Sequence, residues 1–181
     1  MSTQTPILRC LTLDAHWAWA VREGMKLVEN RKRGVKTAAG FRIAHEDTPG
    51  CWVLDAPYFL AVHSGMKLDP DAEFLADETA TDAWILRGHI SCVVRVERWY
   101  DRGNAGFHFS TLRHTLERKH GRWLAPKDIA DKALVLTDLH KLATPVRATG
   151  AQGLWLPSAE VRAEILSQLP AGHLLRGGRD A

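Results

Sequence analysis

The chain has 181 residues, 45% hydrophobic and 25% charged, a length and balance expected of one soluble globular domain with a sizeable core. A formal net charge of only +3 excludes nucleic-acid binding driven by overall charge, so any such binding has to rest on local clusters. No apolar stretch approaches the length of a membrane span or forms a signal peptide, and Cys10, Cys51 and Cys92 form no Cys-x-x-Cys pair, which together predict a cytoplasmic protein with reduced thiols.

The first element is 7–13, apolar on both faces apart from Arg9 and Thr12, which suits a strand buried on both sides. Asp14 then stands where a helix cap is expected, with Trp17, Ala18 and Val21 on one helical face and Gly24 as the stop. Trp19 falls roughly 200° from Trp17 on that helix, so the two rings face different surroundings. A second strand is expected over 26–31. Residues three apart on a regular strand point to opposite faces, so Lys26 and Glu29 share a cleft only if Lys26 still belongs to the turn or a bulge intervenes. The cations Arg31, Lys32 and Arg33 follow, then a loop-like segment to Pro57 with a short strand near 51–54.

Residues 59–64 read as a strand ending at Gly65, and the acidic run 69–82 as a solvated helix opened by Asp69-Pro70. In 89–98, Ile90, Cys92, Val94 and Val96 alternate with His89, Ser91, Arg95 and Glu97, which predicts a strand with one buried face. Ser110 caps an expected helix to about residue 119, with Leu112 and Leu116 inward. Its outer side carries Arg113, His114, Arg118 and Lys119, with His120 and Arg122 just beyond. A short strand at 133–137, a break or edge at Pro145, a turn framed by Gly150 and Gly153, and a last helix capped by Ser158 complete the chain, with a loose tail over 172–181. Five to six strands with few regular β-α-β units predict an α+β fold on a mixed or closed sheet.

The segment 24–31 has the form Gly-x-Lys-x-x-Glu-x-Arg, behind a Trp-Ala helix, and this resembles the signature of the ASCH domain family. The signature lies in a block over 11–33, and three further blocks resemble the family in the same order: 59–65, 87–99, and 133–157 with its ending Gly-Ala-Gln-Gly-Leu-Trp. The resemblance implies a PUA-like small β-barrel, a mixed sheet of five to six strands flanked by short helices. It also implies one domain over 1–171, with insertions near 35–57, 66–84 and 100–130. The family is associated with RNA; some members are reported as ribonucleases, others as hydrolases of N4-acylated cytidine. That hydrolase branch uses a threonine where this chain has Glu29, and His16 replaces the family's proline before the signature tryptophan.

Two constellations carry chemistry. Lys26 can hold a phosphate or a developing negative charge, and Glu29 can accept from the exocyclic amine of a base or act as a general base. Their bland reading is an ion pair at a strand start. Trp17, Arg31 and Ser64 are expected to line the same cleft, and His63 to move protons if the protein is an enzyme. The second constellation is the basic helix: Arg113, Arg118, Lys119 and Arg122 against Glu117 suit phosphate contact, alongside Lys32 and Arg33. Its bland reading is a solvated face. His108, His114 and His120 recur in six-residue steps that do not align on a helix, so no metal and no cofactor is expected.

The function expected is RNA binding, with the cleft around Lys26 and Glu29 taking a nucleotide or a modified base and the basic clusters taking phosphates. DNA is a possible partner, a membrane is not, and the oligomeric state is open. The alternatives are a metal-independent ribonuclease or nucleoside amidohydrolase using Lys26, Glu29 and His63, and a protein-interaction module.

Overall fold

The computed structural model describes residues 6–31, 43–45, 51–67, 69, 83, 85–101, 117–124 and 132–177. Strand β1 (Ile7–Leu13) sends Leu11 and Leu13 to one buried cluster and Leu8 and Cys10 to another, so it is covered on both faces as its apolar run predicts. After β1 come helix α1 (Ala15–Arg22) and the short strands β2 (Val28–Arg31) and β3 (Ile43–His45). The long strands are β4 (Cys51–Ser64), β5 (His89–Asp101) and β6 (Lys132–Arg147), followed by β7 (Leu154–Trp155). All seven belong to one mixed sheet in the order β2-β6-β5-β4-β1-β7, with β3 paired to β4 off that path. Only β1 and β4 run parallel, from Ile7 opposite Tyr58 to Leu13 opposite Ser64. The six-stranded path curls into a half-barrel with short helices against it, an α+β, PUA-like arrangement.

Several boundaries differ from the sequence reading. The strands expected at 51–54 and 59–64 are one strand, β4, whose pairing with β5 shifts register between Val53 and Tyr58. Strand β6 continues through Pro145. The pairing jumps from Cys92 opposite Lys141 to Ile90 opposite Val146, so Pro145 lies in a stretch that owes β5 no hydrogen bond.

The same irregularity corrects the reading of β5. On β4, Val62 faces Cys92 and His63 faces Ile90, so Ser91 is skipped. A residue inserted there reverses the alternation. Cys92, Val94 and Val96 enter the cluster packed against α1, while Ile90 and Val93 enter the other. From Ile90 to Val94 both faces of β5 are buried, whereas Glu97 farther along is exposed.

The second face is covered by α2 (Ala159–Gln168) and α3 (Leu174–Gly177). Ser158 caps α2 as expected, its Oγ accepting from Val161 N at 3.3 Å. Ile165, Leu169 and Leu175 pack on Phe59, Ala61 and Val93, each worth roughly 1.5–3 kcal/mol of burial. The chain from Gly172, expected to be loose, therefore continues in α3: Leu175 is buried and Arg176 Nη1 donates to Leu169 O at 2.7 Å. Cys10 and Cys92 are free and buried, and burial pushes both thiols up to about 12. Among the described residues no helix is long and apolar enough to cross a membrane.

Candidate functional site

Helix α1 is short because Gly24 takes a φ of 75° that turns the chain away. The turn is closed by Met25 N and Lys26 N, which both donate to Ala20 O, at 2.9 and 3.0 Å. Strand β2 starts only at Val28, so Lys26 belongs to the turn. That resolves the strand-spacing problem. Lys26 Nζ reaches forward to Glu29 Oε2 at 2.6 Å and to Val28 O at 2.7 Å. Glu29 sits opposite Leu134, a member of the core packed on α1, and thus points inside the half-barrel.

The ion pair is buried, with side-chain exposures of 5% for Lys26 and 8% for Glu29. Glu29 holds a second cation: its Oε1 lies 3.3 Å from Arg31 Nε. Arg31 Nη2 is buried without a hydrogen-bond partner. An ammonium has three donors and two are used here, so Lys26 and Arg31 each keep a donor for a ligand. The carboxylate, an acceptor only, retains lone pairs for a ligand's N–H groups.

One ring stands beside this group and a second packs against that ring. Trp17 stands with Lys26 Nζ 5.8 Å from its ring centroid, and Trp123 meets Trp17 edge-on at 6.3 Å. The tryptophans of α1 share part of their surroundings: Trp19 is buried with Ala20, Ala83 and Leu86, and Trp17 and Trp123 pack against that cluster, Trp17 also beside Lys26. Trp123 closes a short 3-10 turn, Gly121–Trp123, that follows a helical turn at 117–120. Its carbonyl accepts from Asn30 Nδ2 of β2 at 2.7 Å. The end of the basic segment is thereby brought to the cleft, with Arg118 and Lys119 exposed on it.

Two carboxylates were not singled out as cleft residues from the sequence. Asp69 Oδ2 accepts from Trp17 Nε1 at 2.7 Å, although its acidic run reads as a solvated helix. Asp14 occupies the N-cap position of α1, yet its side chain makes no capping bond, contrary to the expected cap. Its carboxyl is raised, first by burial, then by Asp69 and, more weakly, by Glu29, with Lys67 opposing. The pattern of acids within a polar loop gave no signal for this convergence; the unfilled cap is visible only in three dimensions.

Ser64 shares the face of Leu60 and Val62, and its fully buried Oγ has no hydrogen-bond partner. His63, one residue earlier, points to the opposite face. There its Nε2 donates to Ala148 O at 3.1 Å and its ring meets Trp155 edge-on at 5.8 Å. The sheet's pleat thus separates His63 from Lys26 and Glu29. Lys32, Arg33 and Arg113, the side chain of Arg122, and His108 and His114 lie outside the described residues. Among the described residues no group of three or more His, Cys, Asp or Glu is placed to hold a metal ion.

This chain is similar to ASCH domains of known structure. The crystal structure of ASCH from Zymomonas mobilis covers 88% of this chain and 94% of its own, at 15% identity and a TM-score of 0.48. Two single-residue variants of that ASCH protein match over the same 88%, at 16% and 17% identity and TM-scores of 0.46 and 0.43. No family model matches the chain, and no curated protein does.

Proposed function

We propose that this is an ASCH-domain protein that binds RNA, with the Lys26–Glu29–Arg31 group taking one nucleotide's base and the exposed cations beside Trp123 taking phosphates. The observation that carries the reading is the convergence of the signature residues with two tryptophans and the end of the basic segment. Glu29 is an acceptor between two cations that each keep a donor, which suits the mixed edge of a base better than a bare phosphate. Trp17 and Trp123 supply aromatic surface for stacking, and Arg118 and Lys119 supply charge. A hydrolase using His63 with Lys26 and Glu29 has less support, because His63 lies on the other face of the sheet.

The test is RNA binding over a salt series for the protein, for Lys26→Met/Glu29→Gln, and for Arg118→Ala/Lys119→Ala. The first variant is expected to lose affinity by about tenfold or more, one good base contact, with the salt slope kept. The second is expected to weaken binding to all sequences and to flatten the slope by about one to two. Unchanged affinity in Lys26→Met/Glu29→Gln at low salt sinks the cleft assignment. Equal binding of the matching DNA removes the 2′-hydroxyl as a recognised group.

A further inference from the structure

The Lys26–Glu29 pair is sealed as the side chains stand. Lys26 is 4% and Glu29 6% exposed, so nothing the size of a base reaches either head group without a rearrangement. Trp17 stands 5.8 Å from Lys26 Nζ and Trp123 packs edge-on against Trp17, and the two rings are held differently. Trp123 hangs from β2 through a backbone carbonyl that accepts from Asn30. Trp17 is held by its packing against the core and against Trp123, and its indole N–H is fixed by the 2.7 Å bond to Asp69, which lies 52 residues away in sequence. Two residues before Asp69, Lys67 O accepts from Ala15 N at 3.0 Å. The chain that bears Asp69 is thus tied to the first residue of the helix that bears Trp17.

Asp69 is not the only carboxyl side chain at this end of α1. Asp14 leaves its cap bond unmade, and both Asp69 and Glu29 act on its carboxyl. Burial is the larger cause of the upward shift of that carboxyl, and Lys67 opposes the two acids. The indole has one hydrogen to donate, so a competing acceptor can displace Asp69 from it. A nucleotide brings that competitor: an oxygen acceptor for the indole N–H, and negative charge that repels Asp69.

We infer that Asp69 latches Trp17 over the Lys26–Glu29 pair, and that the cleft admits its ligand when the Trp17–Asp69 bond opens. Asp69 is then a positioning residue, and Trp17 both a cover in the empty protein and a stacking surface in the bound one. The ligand class rests on the RNA-binding reading above; the latch itself is tested without RNA.

The experiment is acylation of the intact protein with a small amine-reactive reagent, with labelling at each lysine followed by peptide mass spectrometry. Lys141, an exposed lysine on β6, is the internal reference. Asp69→Ala removes the acceptor, and Trp17→Phe removes the donor while keeping a ring. Both are expected to label Lys26 about three- to tenfold faster than the unaltered protein, the range set by one net hydrogen bond. Asp69→Asn retains an acceptor oxygen and is expected to keep Lys26 protected. Unchanged Lys26 labelling in Asp69→Ala overturns the latch. So does an equal acceleration at Lys26 and Lys141, which marks general loosening. Faster labelling of Lys26 alone, with RNA affinity absent, leaves the latch standing and removes RNA as what it admits.

Discussion

At the scale of single residues, the Lys26–Glu29 pair sets the terms for every variant of the cleft. Two charges lie almost out of water, joined at 2.6 Å, with the rest of the ammonium's bonding turned on Val28 O. A buried pair contributes little against an apolar substitute of the same shape, yet removing one partner strands the other. Lys26→Met leaves Glu29 only its 3.3 Å contact with Arg31, so it is expected to lose about 2–4 kcal/mol in urea unfolding, and Lys26→Met/Glu29→Gln clearly less than that. A loss below about 1 kcal/mol for the single variant contradicts the burial described here. That is why the paired replacement is the better probe of binding. The proximity of this pair was readable from Gly-x-Lys-x-x-Glu-x-Arg on the condition of a turn at Lys26 or a bulge, and the structure has the turn. Asp69 was not, because its role depends on where a distant loop meets Trp17, and local sequence carries no trace of that contact.

At the scale of elements, the segment 148–155 shows what a glycine can be for. A Cβ on Gly150 would stand 2.4 Å from His63 Cε1, 2.6 Å from His63 Nδ1 and 2.9 Å from Thr12 Oγ1. The imidazole cannot swing aside freely: Nε2–H is committed to Ala148 O, and the ring is edge-on to Trp155, whose Nε1 donates to Thr12 Oγ1 at 3.1 Å. Gly150→Ala is expected to lose about 1–3 kcal/mol by overpacking, with part recovered in Gly150→Ala/His63→Ala. Thermal unfolding of the two variants side by side measures this, and a single variant as stable as the parent shows that the segment yields. The turn at Gly150 was legible from sequence, whereas the ring it accommodates was not. Strand periodicity gave β1 and the inner end of β4 correctly. It misread β5, because an inserted Ser91 is invisible until a partner strand shows the skipped position. It divided β4 because Asp55, Ala56 and Pro57 look like loop when their neighbours are unknown.

At the scale of the whole molecule, the four blocks that resemble the ASCH family fall on the end of β1 through β2, the end of β4, β5 and β6 to β7, so they take in every strand of the sheet except β3. What lay beyond a one-chain reading is the division of the interior into a core under α1 and a core under α2 and α3. Three histidines on separate parts of this architecture are shifted the same way. His63, His120 and His173 are all lowered, each first by burial. Lys119 adds to the shift at His120 and His140 to that at His173, while Ala148 O opposes it at His63. In the window between the ordinary histidine value and these lowered ones, the unfolded chain binds more protons than the folded one. Stability then rises with pH through that window, and is lost as pH falls through it. Asp14, shifted upward, acts at lower pH and in the opposite sense, so it does not mask the effect. Unfolding free energy is expected to drop on the order of 1 kcal/mol from pH 7.5 to pH 5.5, after allowance for solvent screening at the less buried His120 and His173. His63→Gln keeps a donor for Ala148 O and removes the titrating ring, so it should flatten that slope while leaving stability at pH 7.5 nearly unchanged. A slope that stays as steep in His63→Gln places the titration elsewhere, and stability that rises toward pH 5.5 contradicts the burial of all three rings.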